Sequence, residues 1–200
     1  MHRLHRTRSL GTVCVKLALL AIVLLAAQSA RADDSAMWAL LKQPGHFVLL
    51  RHSNAPGATP EPYGIDLKNC AIQRSLDDAG RAQARRIGDA FRKHGITRVR
   101  LVSSQFCRAR ETAKLTKLGR VAELPTLNQV FLSDFSGMRE TAEKTDKFMK
   151  TIPAKQLTVL VSHVSNIQSI AGVNLSSGEM AIVHIDAASA VAVDGRIMVP

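Results

Sequence analysis

Two arginines and two histidines in this chain stand at or just beyond the ends of apolar runs. Val48-Leu49-Leu50 leads into Arg51-His52. Val99-Arg100-Leu101-Val102 leads into Ser103-Ser104, with Arg108 one turn later. Val159-Leu160-Val161 leads into Ser162-His163. Short, near-continuous apolar runs mark strands buried on both faces, and in an open α/β sheet ligands bind beyond the carboxyl ends of parallel strands. If the three strands are parallel neighbours, all four side chains converge on one crevice. That set suits a phosphoryl group. One neutral imidazole attacks phosphorus while planar, permanently charged guanidiniums hold its oxygens. Taken singly, each residue has a blander reading: a strand-closing histidine, a surface ion pair, or Arg110 in place of Arg108. The set is what argues for chemistry.

The elements that must position these residues alternate along the chain. Residues 34–43 read as a short helix stopped by Pro44-Gly45, and 46–50 as a strand. Residues 53–73, rich in Pro and Gly, form a loop leaving that strand at its chemical end, a rim or lid over the site. Ser75-Leu76-Asp77-Asp78 resembles a capping box and opens a helix bearing Ile87 and Phe91, with Gly95 as its stop. A strand over 98–102 and a helix over 106–118 closed by Gly119 follow. Next come a short strand over 121–124, an irregular stretch over 125–137 and a charged outer helix over 140–149. A strand over 157–161, a helix from 166, and closing strands over 180–185 and 190–193 complete the chain, with a turn at Asp194-Gly195. Alternating strands and helices imply an α/β layered fold with a mostly parallel sheet.

The segments LLRHSNAPG, SSQFCRARETA and VLVSHVSNI, in that order, resemble the histidine phosphatase superfamily, the phosphoglycerate-mutase-like fold. The first matches its arginine-histidine-glycine signature, with Ser53 at the usual glycine. The second matches its Ser-Ser-x-x-x-Arg-Ala phosphate-binding turn and selects Arg108. The third matches its late strand-end histidine. NCAIQRSLDDAGRAQARRIGDAF resembles the helix after the first loop, and the likeness covers most of the chain beyond residue 45, nearest to small exported bacterial members. The resemblance implies a three-layer sandwich and a metal-independent phosphatase with a phosphohistidine on His52. Arg51, Arg108 and His163 would hold the phosphoryl oxygens, and no cofactor is expected. Asn54, Arg74 and Asn166 are further candidates for the rim. The family often places an acidic residue before the late histidine, but TLNQVFLSD has Gln129 there. Asp134 and Glu179 are the nearby candidates for the leaving-group acid. This departure keeps a catalytically weak phosphate-binding member open as an alternative, and a sugar-phosphate mutase as a third.

Composition bounds the setting. MHRLHRTR, the apolar VCVKLALLAIVLLAA and Ala30-Arg31-Ala32 read as a signal peptide cleaved after Ala32, leaving a single domain over 33–200 in the periplasm or outside the cell. The apolar run is short for a span and holds Lys16, so no stable membrane anchor is expected after cleavage. Cleavage removes five of the 27 bases and none of the 16 acids, which lowers the net charge from +11 to +6. A modest basic excess suits an anionic small molecule. With few aromatics it argues against a nucleic-acid platform. The compartment, with the family's sugar-phosphate habit, suggests an envelope sugar phosphate as substrate. Cys70 and Cys107 are the two cysteines left, and an even pair in an exported chain suggests a disulfide; two separate buried thiols are the alternative. No histidine pair at ligand spacing, carboxylate cluster or Gly-x-x-x-x-Gly-Lys loop points to a metal or a nucleotide.

Overall fold

Among the described residues six strands form one sheet, in the order β3-β2-β4-β1-β5-β6. The computed structural model describes residues 35–57, 61, 64–131 and 133–200, so the expectations for 1–32 fall outside the described residues. The strands are β1 (His46–Arg51), β2 (Arg100–Ser103), β3 (Val121–Glu123), β4 (Thr158–Ser162), β5 (Glu179–Ile185) and β6 (Val191–Met198). The first four run parallel, β1 against β4, β4 against β2 and β2 against β3. β5 lies antiparallel on the other side of β1 and carries β6 as a hairpin. β4 and the centre of β1 are fully buried, in keeping with the apolar runs Val159–Val161 and Phe47–Leu50.

The helices are α1 (35–40), α2 (Asp78–Lys93), α3 (Cys107–Thr116), α4 (Phe135–Lys150) and α5 (Val164–Ala171). Alternation along β1 divides the core. Val48 and Leu50 face a cluster containing Ile87 and Phe91 of α2 and Ala109 and Ala113 of α3. Phe47 and Leu49 face the opposite cluster, with Met149 of α4 and Ile167 and Ile170 of α5. The result is three layers, helices covering both faces of the sheet. Because β4 lies between β1 and β2, the carboxyl ends of three parallel strands are neighbours, the place where such sheets hold ligands.

Local chemistry moved several expected boundaries. The cap of α2 is Asp77, not Ser75, because the Asp77 carboxylate accepts the Gly80 N–H at 2.6 Å. Gly80 is also where the first loop touches the helix: a Cβ there would lie 2.0 Å from the Asn54 carbonyl oxygen. α3 ends on Lys117, which takes the left-handed conformation (φ 56°) two residues before Gly119. α4 begins at Phe135, since the Asp134 carboxylate accepts the Gly137 N–H and extends the helix back into the stretch read as irregular. β6 runs through Asp194-Gly195 without turning: Ile182 pairs with Gly195 and Val183 with Val193, so Asp194 is the extra residue of a bulge. Among the described residues no helix is long and apolar enough to cross a membrane.

Candidate active site

His52 follows β1, His163 follows β4, and Arg108 stands in the first turn of α3. Their side chains meet. The imidazoles lie 5.3 Å apart between centroids, edge to face. Arg108, fully buried, donates from Nε to His52 Nε2 at 3.2 Å, and its Nη2 lies 3.2 Å from His163 Nδ1. The remaining nitrogens fix the tautomers. His52 Nδ1–H donates to the Ser53 carbonyl at 2.8 Å, which leaves Nε2 with its lone pair. His163 Nε2–H donates to Ser104 Oγ at 2.8 Å, and that hydroxyl donates in turn to Asn128 Oδ1.

Backbone contacts hold this end of the sheet together. The His52 N–H bonds to the Ser162 carbonyl across the β1–β4 ladder. The Ser53 N–H donates to Thr112 Oγ1 of α3, tying the loop to the helix that carries Arg108. The Gly178 N–H reaches the carbonyls of Arg51 and His52. Arg51 Nη1 donates to the Leu175 carbonyl at 2.7 Å, while its Nε is buried with no hydrogen-bond partner among the described residues.

The field of the site is strongly positive. Burial pushes His52 down to about 3, and the Arg108 guanidinium, with Arg51 and Arg74 behind it, acts in the same direction. His163 is held well below the ordinary histidine range by burial first and then by Arg108. Both imidazoles are therefore neutral at neutral pH, the state in which a ring nitrogen can attack. Burial lowers Arg108 to about 10, still charged, with Glu61 opposing the fall.

Glu61 is the residue that the sequence reading missed. It comes from the first loop, is 7% exposed, and its Oε1 accepts from Arg108 Nη1 at 2.7 Å and from the Arg74 N–H at 2.8 Å. The available signal was that Glu61 is the only acid between His52 and Asp66. Gln129 also enters the site, its Oε1 accepting from Arg108 Nη2. Beside Arg108 lies a cavity of about 220 Å³, lined in part by Glu61, Phe106 and Gln129; the Phe106 ring packs 4.7 Å from the Arg108 guanidinium carbon.

The other candidates fall in different places. Arg74 acts on both imidazoles while its Nη1 donates to the Gly57 carbonyl at 3.1 Å. Asn54 holds Asp77 at the start of α2. Asn166 is fully buried beneath the site rather than at its rim, and its amide bonds the Asn128 carbonyl and the Val130 N–H. Asp134 caps α4 and lines the cavity. Glu179 pairs with Arg196 at 2.8 Å and accepts the Ser176 N–H. Cys70 and Cys107 form a disulfide, which ties the first loop to the residue before Arg108. Among the described residues no three His, Cys, Asp or Glu side chains are placed to share a metal ion.

Comparison with known proteins fits this architecture. The chain superposes on the protein histidine phosphatase SixA complexed with tungstate with a TM-score of 0.55 at 15% identity, covering 76% of this chain and 96% of that one. It superposes on phosphoserine phosphatase from Entamoeba histolytica, in complex with 3-phosphoglyceric acid, with a TM-score of 0.58 at 14% identity, covering 76% and 96%. At these identities the likeness is one of fold. A search of curated proteins finds no match. A family model, Histidine phosphatase superfamily (branch 1), matches residues 47–159, more than half of the chain, and that span contains both His52 and Arg108. The chain belongs to the histidine phosphatase superfamily.

Proposed function

We propose that this protein is a metal-independent phosphatase that hydrolyses a small phosphomonoester through a phosphohistidine on His52. The observation that carries the reading is the pairing of His52 with Arg108. A neutral imidazole, its Nδ1–H fixed on a carbonyl, presents its other nitrogen to a buried guanidinium at 3.2 Å. Arg108, Arg51 and His163 would gather the phosphoryl oxygens and stabilise the charge spread over the group in transit. In-line attack by Nε2 expels the alcohol, and water then releases phosphate and restores the ring. Export belongs to the same proposal. It is supported by the basic, apolar and small-x-small sequence of residues 1–32 and by a disulfide of the kind that oxidising compartments keep.

A second reading, a phosphate binder without turnover, draws on Gln129. That residue reaches Arg108, where an amide can accept a hydrogen bond but cannot deliver a proton. Steady phosphate release from p-nitrophenyl phosphate separates the two. The phosphatase reading expects turnover by the wild type and its loss in His52→Ala. Phosphate binding without release would leave the binder.

A further inference from the structure

The cavity beside Arg108 shares its wall with the anion site. Glu61, Phe106 and Gln129 line it, and each of the three also touches the Arg108 guanidinium. Away from Arg108 its walls are Ile65, Val130 and Phe131. The other polar residues on the wall are already engaged. Asp134 Oδ1 takes the Gly137 N–H and the Ser136 hydroxyl, and Asn128 Oδ1 takes the Gln105 N–H and the Ser104 hydroxyl. One oxygen is not engaged: Glu61 Oε2 is buried with no hydrogen-bond partner among the described residues.

We infer that this cavity is the leaving-group subsite and takes an aromatic or compact apolar alcohol, with Glu61 at its inner end as the proton donor. The inference rests on the phosphatase reading and names its substrate class. A phosphoryl group on Arg108 would set its ester oxygen at the same end of the cavity as Glu61. The volume, about 220 Å³, has room for a benzyl or naphthyl group. Apolar walls gain from burying a ring, whereas each hydroxyl of a sugar would need a partner that these walls do not offer.

Glu61 now shares Arg108 with the substrate. To donate, the Glu61 carboxylate must first take up a proton. The proton comes from the phosphomonoester monoanion as its dianion settles on Arg108. In the first step the bond from His52 Nε2 to phosphorus forms, the phosphorus–ester oxygen bond breaks, and the Glu61 proton passes to that oxygen, which leaves as the neutral alcohol. In the second step water adds to phosphorus and gives a proton to the Glu61 carboxylate, the nitrogen–phosphorus bond breaks, and phosphate departs as its monoanion, carrying that proton away and leaving Glu61 as it began. His52 keeps its Nδ1–H on the Ser53 carbonyl throughout.

Benzyl phosphate and glycerol 3-phosphate test the subsite, because both release alkyl alcohols and differ in the group that enters the cavity. The expected kcat/KM favours benzyl phosphate by about 10²-fold. Ile65→Trp, which fills the cavity from a half-buried position, should erase most of that ratio. Equal rates, or faster glycerol 3-phosphate, would overturn the subsite and leave the phosphatase intact. Competition between benzylphosphonate and methylphosphonate for the site reads the same preference with no turnover. Equal affinity there also overturns it, so loss of the phosphatase reading does not hide the answer. Glu61→Gln should lower kcat/KM for benzyl phosphate by about 10²- to 10⁴-fold, and by far less for p-nitrophenyl phosphate, whose phenolate leaves unprotonated. Equal losses on both substrates would assign Glu61 a structural role.

Discussion

The Ser53 carbonyl oxygen lies 2.8 Å from Nδ1 of His52, so the residue after the nucleophile candidate also fixes its tautomer. This hydrogen bond opposes the fall in the His52 pKa, but burial and Arg108 outweigh it and hold the group at about 3. His52 should therefore stay neutral, protonated on Nδ1 alone, across pH 4.5–8. Nitrogen-detected NMR of the imidazoles would check this. A histidine titrating near its ordinary value, about 6.5, would show that the site is wetter and less positive than described.

The same depression has a stability consequence with a definite sign. Between about 3 and its ordinary value of about 6.5, His52 takes a proton in the unfolded chain and not in the folded one, and His163 shifts in the same direction. The unfolded state then binds more protons, so stability rises with pH through this interval and flattens above it. The melting temperature should fall steadily as pH drops below about 6.5. In His52→Gln the fall should be shallower. Parallel slopes in the two proteins would remove His52 as a cause.

Anions should stabilise this protein. Arg51, Arg74 and Arg108 all act on the same imidazoles, and Glu61 is the carboxylate seated on Arg108. Phosphate or tungstate at a hundred times its dissociation constant should add about 2.7 kcal/mol. That corresponds to a rise of about 2–4 °C per kcal/mol for a domain of this size. Chloride at equal ionic strength should give little. Arg51→Gln should reduce the shift, and Glu61→Gln, which removes the competing carboxylate, should enlarge it. Differential scanning fluorimetry across these proteins makes the comparison.

Much of this site was legible because its residues belong to strand ends. Apolar runs name β1 and β4, and strand direction then places His52, His163 and the turn bearing Arg108 at one edge. What sequence hid came from segments whose course depends on tertiary contacts. Glu61 sits in a Pro- and Gly-rich loop with no periodicity, and only the buried Arg108 shows where its carboxylate belongs. Asn166 looked like a rim residue because it follows His163 closely, yet helical geometry turns its amide down onto 128–130. β6 kept its course through Asp194-Gly195 because its pairing with β5 takes up Asp194 as the extra residue of a bulge, and that pairing is a tertiary contact.

That position of Asn166 makes it a brace for Gln129. Its amide satisfies the Asn128 carbonyl at 2.7 Å and the Val130 N–H at 3.3 Å, gripping the residues on both sides. Asn166→Ala would strand both groups, at a cost of about 1–3 kcal/mol each where they stay dry. Displacing Gln129 and the cavity wall should also lower kcat/KM, by up to about 10²-fold for a shift of 1 Å. Thermal melts and kinetics on one preparation would show whether both losses occur together.

The disulfide joins residues 37 apart, Cys70 in the first loop and Cys107 immediately before Arg108. A second contact runs alongside it: the Cys107 N–H donates to Gln73 Oε1 at 2.9 Å. Closing a loop of this length restricts the unfolded chain, and removing the bridge should cost about 2–4 kcal/mol. The Cys70→Ser/Cys107→Ser protein should therefore melt lower, by about 2–4 °C for each kcal/mol. Its first loop should also hold Glu61 less firmly on Arg108, so activity should fall more steeply with temperature than in the bridged protein. Thiol counting under denaturing, non-reducing conditions comes first. No free thiol at Cys70 or Cys107 is the expected result, and two would remove both the bridge and the argument built on it.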